Sequence, residues 1–255
     1  LSFQCYKMAL LVPENSAAIG EVHILNIELH NDFYKKVEPK SEIIDKKIIQ
    51  SIYKPRNKFA HKGNFGHALL IAGSYGKIGA AVLSAKACLR SGVGLLTCHI
   101  PKCGYDILQS TVPEAMVLTD SDAEIISKVE TGLEKYSAIG IGPGIGTEAA
   151  TKTMLKELLA SCKKPVVLDA DALNIISEVK ELMQLIPEGS ILTPHPKEFE
   201  RLFGKSNNDF ERIQLAVDKA VELKCIIVLK GHHTVITTPS GTTYFNNTGN
   251  AGMAT

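Results

Sequence analysis

From about His67 onward, short apolar runs alternate with longer segments whose apolar residues recur every three or four positions. The runs HALLIAG, VGLLTCHI, AIGIG, PVVLDA, SILT and CIIVLK predict buried strands, because they are short and bounded by glycine, proline or charged residues. Helices are predicted for AAVLSAKACLRSG, EAATKTMLKELLASC, ALNIISEVKELMQLI, PKEFERLFG and FERIQLAVDKAVELK. We therefore expect an α/β fold with a mostly parallel sheet and helices on both faces.

The two ends of the chain follow other patterns. Near the C-terminal end, HTVITT and TTYF predict a β-hairpin with Pro-Ser-Gly as its turn. Residues 1–50 contain two short apolar stretches, MALLVPEN and EVHILNIEL, followed by a polar, Lys-rich run and a helical patch near IIDKKIIQSIY. We divide the chain into an N-terminal portion with a linker, residues 1–50, and a main α/β domain, residues 51–255.

Composition and charge narrow the classes of function. Lys and Arg number 28 against 27 Asp and Glu, a formal net charge of +1, so neither a nucleic-acid tract nor a polybasic membrane anchor is indicated. No apolar run approaches the roughly 20 residues that span a bilayer. The six cysteines form no C-x-x-C pair and lie in apolar segments, which predicts buried, reduced thiols in a cytoplasmic protein.

Two glycine-rich corners follow predicted strands, at the edge where α/β sheets bind ligands. GSYGKIGAA has the spacing G-x-x-G-x-x-G, which fits neither the dinucleotide fingerprint nor the P-loop, and a tight turn explains it as well as a ligand contact does. GIGPGIG has four glycines in seven residues. One glycine suffices for most turns, so this loop predicts a close approach of ligand atoms to the backbone.

Polar side chains follow the later strands. In DADALN, Asp169 and Asp171 end an apolar strand, where carboxylates either cap the next helix or belong to a site. In TPHPKE, two prolines hold His195 at a strand end with Glu198 three residues further on, which favours a functional role. The strand end of VLKGHHTVI would place the Lys230 ammonium near phosphates. No third ligand at suitable spacing supports a zinc site.

Eight motifs occur in one order between about Asn57 and Thr255. They are KGNFGHALLIAGSYGKIGAA, ACLRSGVGLLT, the PEAM of VPEAMV, GIGPGIGT, VVLDADALN, ILTPHPKEFERL, IIVLKGHHTVI and NNTGNAGMAT. Together they resemble the ADP- or ATP-dependent NAD(P)H-hydrate dehydratases, a branch of the ribokinase-like superfamily. The segment SFQCYKMALLVPENSAAIGEVHILNIEL is similar to the closing part of the NAD(P)H-hydrate epimerase domain, which precedes the dehydratase in bifunctional repair enzymes.

The resemblance implies a ribokinase-like fold and a metabolite-repair reaction. ADP or ATP, with Mg²⁺, would phosphorylate the ring hydroxyl of hydrated NADH or NADPH, and phosphate would then leave to regenerate the cofactor. Phosphoryl transfer of this kind needs mainly positioning and charge stabilisation. The residues implied for the hydrate pocket are Ala80, Gly142, Gly144, Gly146 and His195. Those implied for the nucleotide are Lys230, Gly231, Thr234, Asn250, Gly252 and Thr255.

Other expectations follow from the same reading. His232 and His233 are assigned no chemical role. The expected partner is the small-molecule hydrate, with neither nucleic acid nor a membrane, and a homo-oligomer stays open. No protein ligand for a metal is assigned.

One part of the family pattern is absent from the sequence. In the family, NAGMAT is followed by a glycine-rich turn with an aspartate, the presumed base that takes the proton from the hydroxyl. We therefore expect the main domain to be incomplete at its C-terminal end and its catalytic base to lie beyond Thr255. The catalytic portion of the epimerase would lie before Leu1, so no epimerase activity is expected of this chain. No residue within it is assigned a catalytic role.

Three other functions fit parts of the pattern. A sugar or vitamin-precursor kinase of the ribokinase-like superfamily would share the fold, but TPHPKEFERL and NAGMAT favour the dehydratase. A catalytically inactive nucleotide-binding fragment would bind ADP or ATP without turnover. A Rossmann oxidoreductase is disfavoured because its G-x-G-x-x-G fingerprint is missing.

The expected base is tested by reading the gene past Thr255. We predict a glycine-rich segment with an aspartate shortly after NAGMAT, and an intact protein mass larger than that of these 255 residues. A reading frame without that aspartate would remove the catalytic assignment.

Overall fold

The computed structural model describes residues 1–37, 39–129 and 131–249. The strands in these ranges are β1 (Ser2–Phe3), β2 (Ile24–Leu25), β3 (Ser41–Ile43), β4 (His67–Ile71), β5 (Leu95–Ile100), β6 (Met116–Thr119), β7 (Ala138–Ile141), β8 (Val166–Leu168), β9 (Ile191–Leu192), β10 (Ile226–Leu229), β11 (Thr234–Thr237) and β12 (Thr243–Asn246). The α-helices are α1 (Asn31–Lys36), α2 (Lys46–Ile52), α3 (Ile78–Arg90), α4 (Tyr105–Thr111), α5 (Ala149–Ser161), α6 (Asp171–Glu178), α7 (Pro196–Phe203) and α8 (Asp209–Glu222).

Within the described ranges, ten strands form one sheet in the order β3-β12-β11-β10-β9-β8-β7-β4-β5-β6, and β1 pairs with β2 in a separate parallel pair. All neighbours from β10 to β6 are parallel. Strands β11 and β12 pair antiparallel, which confirms the predicted hairpin. The chain runs from β4 outward to β6 and then returns to the other side of β4, so the strand order reverses between β4 and β7. Ligands bind at such reversal points in α/β sheets.

Helices cover both faces of the sheet, as β4 illustrates. Leu69 and Ile71 pack into a core with residues of α5 and α6. Leu70, between them, packs on the opposite face with residues of α3 and α4. Successive side chains of a strand point to opposite faces, so β4 is buried on both sides. The predicted α/β fold with a mostly parallel sheet is confirmed.

The N-terminal portion packs against the main domain. Leu11 and Val12 are 5% and 3% exposed and share a core cluster with Ile213 and Ala216 of α8. Strand β3 extends the large sheet by pairing in parallel with β12. The division at residue 50 falls inside α2 and stays a prediction.

One predicted helix is divided in the structure. The stretch ALNIISEVKELMQLI forms α6 and then a 3₁₀ helix, Lys180–Leu185, with the break at Val179 (φ −115°, ψ 79°). Leu182 beyond the break packs into the same core as Ile175 before it. The apolar period therefore continues through the break, and the pattern of the sequence does not reveal it.

All six cysteines are free thiols. Burial raises the pKa of Cys98 to about 12 and that of Cys225 to about 11, so both stay protonated at neutral pH. Three thiols are buried as predicted: Cys98, Cys162 and Cys225. Cys88 and Cys103 are only partly buried, and the prediction is wrong for Cys5, which is exposed. No helix in the described part of the chain is long and apolar enough to cross a membrane.

Asp120, directly after β6, organises a loop that supports the first glycine-rich corner. Its carboxylate accepts hydrogen bonds from the Ser127 hydroxyl and from three backbone N–H groups of residues 122–128, at 2.8 to 3.0 Å. The Glu124 carbonyl in the same loop accepts a hydrogen bond from the backbone N–H of Tyr75 at 2.7 Å. Burial alone would raise the pKa of Asp120, but the hydrogen bonds outweigh burial and lower it below its ordinary value.

We predict that Asp120→Asn lowers the free energy of unfolding by roughly 1–3 kcal/mol at pH 7, because an amide NH₂ would face backbone N–H donors. Since the folded-state pKa is depressed, the carboxylate contributes above the unfolded pKa of about 3.9, and that contribution is lost as pH falls through the folded value. Denaturant unfolding from pH 7 to pH 3 should show the difference shrinking. The exposed Asp106→Asn is the control, and a difference independent of pH would contradict the prediction.

Candidate active site

The corners after β4 and β7 lie against each other where the strand order reverses. Gly73 donates its N–H to the Pro143 carbonyl, and the Ser74 hydroxyl donates to the Gly144 carbonyl, both at 2.8 Å. A β-carbon built on Gly144 would lie 3.1 Å from the β-carbon of Ala80. The structure thus brings Ala80 and Gly144 together, two residues that the sequence assigned to one pocket.

The glycines of GIGPGIG serve the fold as well as any ligand. Gly142, Gly144 and Gly146 have φ of 133°, 68° and 81°, which other residues rarely adopt. A β-carbon on Gly142 would lie 1.8 Å from the carbonyl oxygen of Asp169. The N–H of Gly146 donates to Asp171 Oδ2 at 2.9 Å. The backbone of this loop therefore packs directly against the backbone at the end of β8. This contact requires glycine for the fold itself, a reason that the sequence analysis did not include.

Asp169 and Asp171, which the sequence left open between capping and a site, each face a lysine from another corner. Lys230 Nζ lies 2.7 Å from Asp169 Oδ1, and Lys77 Nζ lies 3.5 Å from Asp171 Oδ2. The side chains of Lys230 and Asp169 are 42% and 32% exposed, so this ion pair lies at the surface of the site. The two partners are 61 residues apart, and nothing in the sequence pattern signals their pairing.

His195 caps the N-terminus of α7. Its ring Nδ1 accepts hydrogen bonds from the backbone N–H groups of Lys197 and Glu198 at 3.1 and 3.4 Å. The backbone N–H of His195 donates to Glu198 Oε2 at 2.9 Å. This is a capping box. Because Nδ1 accepts, we assign the proton of the neutral ring to Nε2, which lies 3.4 Å from Glu198 Oε1. The ring is held in one orientation at the strand end, and its contact with substrate stays a prediction.

The KGHHT loop, residues 230–234, adjoins the His195 corner. Lys230 donates its N–H to the Pro194 carbonyl at 2.9 Å, and the Thr234 hydroxyl donates to a carbonyl within the loop at 3.2 Å. A β-carbon on Gly249 would lie 2.5 Å from the His232 carbonyl oxygen, so the start of NTGNAGMAT packs on this loop. The remaining predicted nucleotide contacts lie outside the described residues: Asn250, Gly252 and Thr255.

His233 has a structural partner that sequence reasoning missed. Its Nδ1 lies 3.0 Å from the carbonyl oxygen of Leu11, to which it donates, and its ring meets His232 edge-on at 4.6 Å. Burial lowers the pKa of His233, the bond to Leu11 opposes this shift, and His232 adds to it. The ring is therefore neutral at pH 7. No pattern in the sequence links residue 11 to residue 233.

These contacts join the loops that follow β4, β7, β8, β9 and β10 along one edge of the sheet. Ala80 adjoins Gly144, and Gly142 lies against Asp169, which pairs with Lys230. Lys230 is bonded in turn to the TPHP segment. In the described ranges no three His, Cys, Asp or Glu side chains converge as metal ligands would. The edge places the partly exposed Lys230 ammonium beside glycine-rich turns that pack closely on one another.

The sheet order and the position of this edge define a ribokinase-like α/β protein. A ribokinase-like superfamily protein from Enterococcus faecalis superposes with a TM-score of 0.72 at 29% identity, covering 86% of this chain and 76% of that chain. A profile of the NAD(P)H-hydrate dehydratase family matches residues 68–255, and the chain belongs to this family. The family inferred from the eight motifs is confirmed.

Individual relatives agree with this assignment. The ADP-dependent (S)-NAD(P)H-hydrate dehydratase of Bacillus subtilis is 38% identical over 208 residues, 78% of this chain and 70% of the relative. A crystal structure of the Bacillus subtilis ADP/ATP-dependent enzyme, co-crystallized with ATP/Mg²⁺, has a TM-score of 0.70 at 31% identity over 84% of this chain and 75% of that chain. The bifunctional NAD(P)H-hydrate repair enzyme Nnr of Moorella thermoacetica is 31% identical over 264 residues, 100% of this chain and 50% of the relative. The chain thus spans about half the length of the bifunctional relatives it matches.

The backbone contact at Gly142 is tested by alanine substitution. Gly142→Ala should lower the free energy of unfolding by roughly 2–5 kcal/mol, because the strained φ and the overlap with Asp169 both act against the folded state. Gly140→Ala is the matched control, since its β-carbon would lie 3.8 Å from Leu70 Cδ1, an ordinary contact. Denaturant unfolding compares the two variants, and equal stabilities would contradict the prediction.

Proposed function

We propose that the protein containing this chain removes water from hydrated NADH or NADPH, with ADP or ATP as the phosphoryl donor. The ring hydroxyl loses its proton and its oxygen bonds to the terminal phosphorus, while the bond from that phosphorus to the nucleotide breaks. The ring carbon–oxygen bond then breaks, phosphate leaves with the electron pair, and loss of a neighbouring ring proton restores the double bond. Phosphate is a far better leaving group than hydroxide, so the first step makes the second accessible.

The observation that carries this proposal is the continuous series of contacts from Ala80 and Gly144 through Asp169 to Lys230, in a member of the dehydratase family. Two ligands must meet for the reaction, a flat ring and a phosphate chain. We place the ring at the glycine-rich corners and the phosphate chain at the partly exposed Lys230 ammonium. We assign Ala80, the three glycines of GIGPGIG and His195 to the hydrate.

We assign Lys230, Gly231 and Thr234 to the nucleotide. The Lys230 ammonium is already held 2.7 Å from Asp169. A nucleotide phosphate carries more charge than one carboxylate and would compete for it. Asp169 therefore fixes the ammonium at the site before the nucleotide binds, so little ordering remains to be done on binding.

Three further parts belong to this proposal. Asp169 and Asp171 already face lysines, so the Mg²⁺ that accompanies the nucleotide would take most of its ligands from phosphate and water. The proton-accepting base is assigned to no residue of this chain. The buried free thiols, including Cys98, suit a reducing compartment, and we place the reaction in the cytoplasm.

The complete natural protein, given hydrated NADH and ADP or ATP, should restore the absorbance of reduced nicotinamide. Lys230→Met should lower kcat/KM roughly 100-fold to 1,000-fold, as the loss of a preorganised group for developing charge typically does. Lys205→Met, at an 87% exposed position, should leave kcat/KM within about twofold. No turnover of the hydrate, with ATP-dependent phosphorylation of simple alcohols instead, would overturn the proposal in favour of a kinase.

A further inference from the structure

A cavity of about 510 Å³ lies between the N-terminal portion and the KGHHT loop. Tyr6, Pro13 and Ile19 are among the residues that line one side, which we call the N-terminal wall, residues 6–22. His232 and His233 line the other side. The volume falls in the roughly 300–1,000 Å³ range of small-molecule sites, which are mostly apolar with a few polar groups.

The N-terminal wall is anchored to the main domain by a reciprocal pair of hydrogen bonds. The N–H of Glu14 donates to Asp209 Oδ2 at 3.0 Å, and the N–H of Asp209 donates to Glu14 Oε2 at 2.9 Å. Leu11 and Val12 are buried beside this anchor. These hydrogen bonds and the apolar burial together hold the wall against the main domain.

The wall also contacts the loop itself. The bond from the His233 ring to the Leu11 carbonyl orients the second histidine of KGHHT. A smaller cavity shares Leu11 and Pro13 with the large one and is lined on its other side by Lys230 and Gly231. The wall therefore extends from the large cavity to the lysine that we assign to the phosphates.

We infer that the N-terminal wall completes the nucleotide site and holds the purine base of the phosphoryl donor in the 510 Å³ cavity. The inference rests on the proposed function, because it takes the KGHHT loop as the nucleotide loop. The wall supplies apolar contacts for a heterocyclic ring, while Ser16, His232 and Asn247 bring hydrogen-bonding groups to its edges. A contribution to nucleotide binding thus comes from residues outside the family match at 68–255.

We assign the purine base, not the hydrated nicotinamide ring, to this cavity because the cavity and the proposed hydrate site lie on different sides of Lys230. The hydrate corner, at Ala80 and Gly144, is joined to Lys230 through Asp169, whereas the cavity lies on the His232 and His233 side of the same loop. A donor with its phosphates at Lys230 would direct its base away from the hydrate. It follows that nucleotide binding and docking of the N-terminal portion stabilise each other, since such coupling is reciprocal.

Adjacent residues of one 3₁₀ helix, Pro13–Ala18, provide a matched test on the complete natural protein. Ser16 lines the cavity, whereas the exposed Ala17 does not. In calorimetric titrations with ADP, Ser16→Trp should raise the Kd at least tenfold by filling the cavity, and Ala17→Trp should change it less than twofold. The KM for the hydrate should stay within twofold in both variants.

The outcomes separate the two proposals. Binding of neither ADP nor ATP by the unmodified protein would overturn the proposed function. Tight ADP binding by the unmodified protein, with Ser16→Trp equal to Ala17→Trp, would overturn only the role of the wall. If Ser16→Trp does not fold, Ile19→Ala removes wall contacts without adding bulk and should raise the Kd for ADP about threefold to tenfold. An unchanged Kd in that variant would likewise overturn the role of the wall.

Discussion

The contact between Gly142 and the carbonyl oxygen of Asp169 is the constraint on which the rest of the site depends. It lets the corners after β7 and β8 pack with no side chain between them. The carboxylate of the same Asp169 pairs with Lys230, whose backbone N–H is bonded to the TPHP segment. A residue with a β-carbon at 142 would push these two corners apart and shift Asp169, whose carboxylate holds Lys230.

The ion pairs at this edge contribute more to the placement of charged side chains than to the stability of the fold. Partly exposed ion pairs contribute only ~0–1 kcal/mol, whereas burial of one large apolar side chain contributes about 1.5–3 kcal/mol. The two-sided cores around β4 therefore account for stability. The Asp169–Lys230 pair instead fixes where an ammonium group sits, which matters to an anionic ligand. Stability and chemistry are thus carried by different residues on the same strands.

Most of the fold was predictable because apolar period, glycine and proline are local signals. They identified the strands around β4, the β11–β12 hairpin and most helices, and the ordered motifs identified the family. The closeness of Ala80 and Gly144 was implied by the family resemblance, whereas the strand order that places them at a reversal point comes from the structure. The Asp169–Lys230 pair and the bond from His233 to Leu11 did not, since both depend on which strands become neighbours. The break in the helix at Val179 was not predicted, because the apolar residues on both sides of it are buried in the same core.

The pairing of β3 with β12 has a consequence for the order in which the chain folds. Thr243 and Phe245 align with Ser41 and Ile43, so the outer edge of the sheet joins segments from opposite ends of the described chain. During synthesis, β3 emerges before β12 and stays without this neighbour until the intervening strands and helices have been made. Contacts between residues so distant in sequence form slowly. The strand that leads into NTGNAGMAT is therefore secured after the parallel strands that precede it, and a nascent chain would acquire its glycine-lined edge before the β11–β12 hairpin.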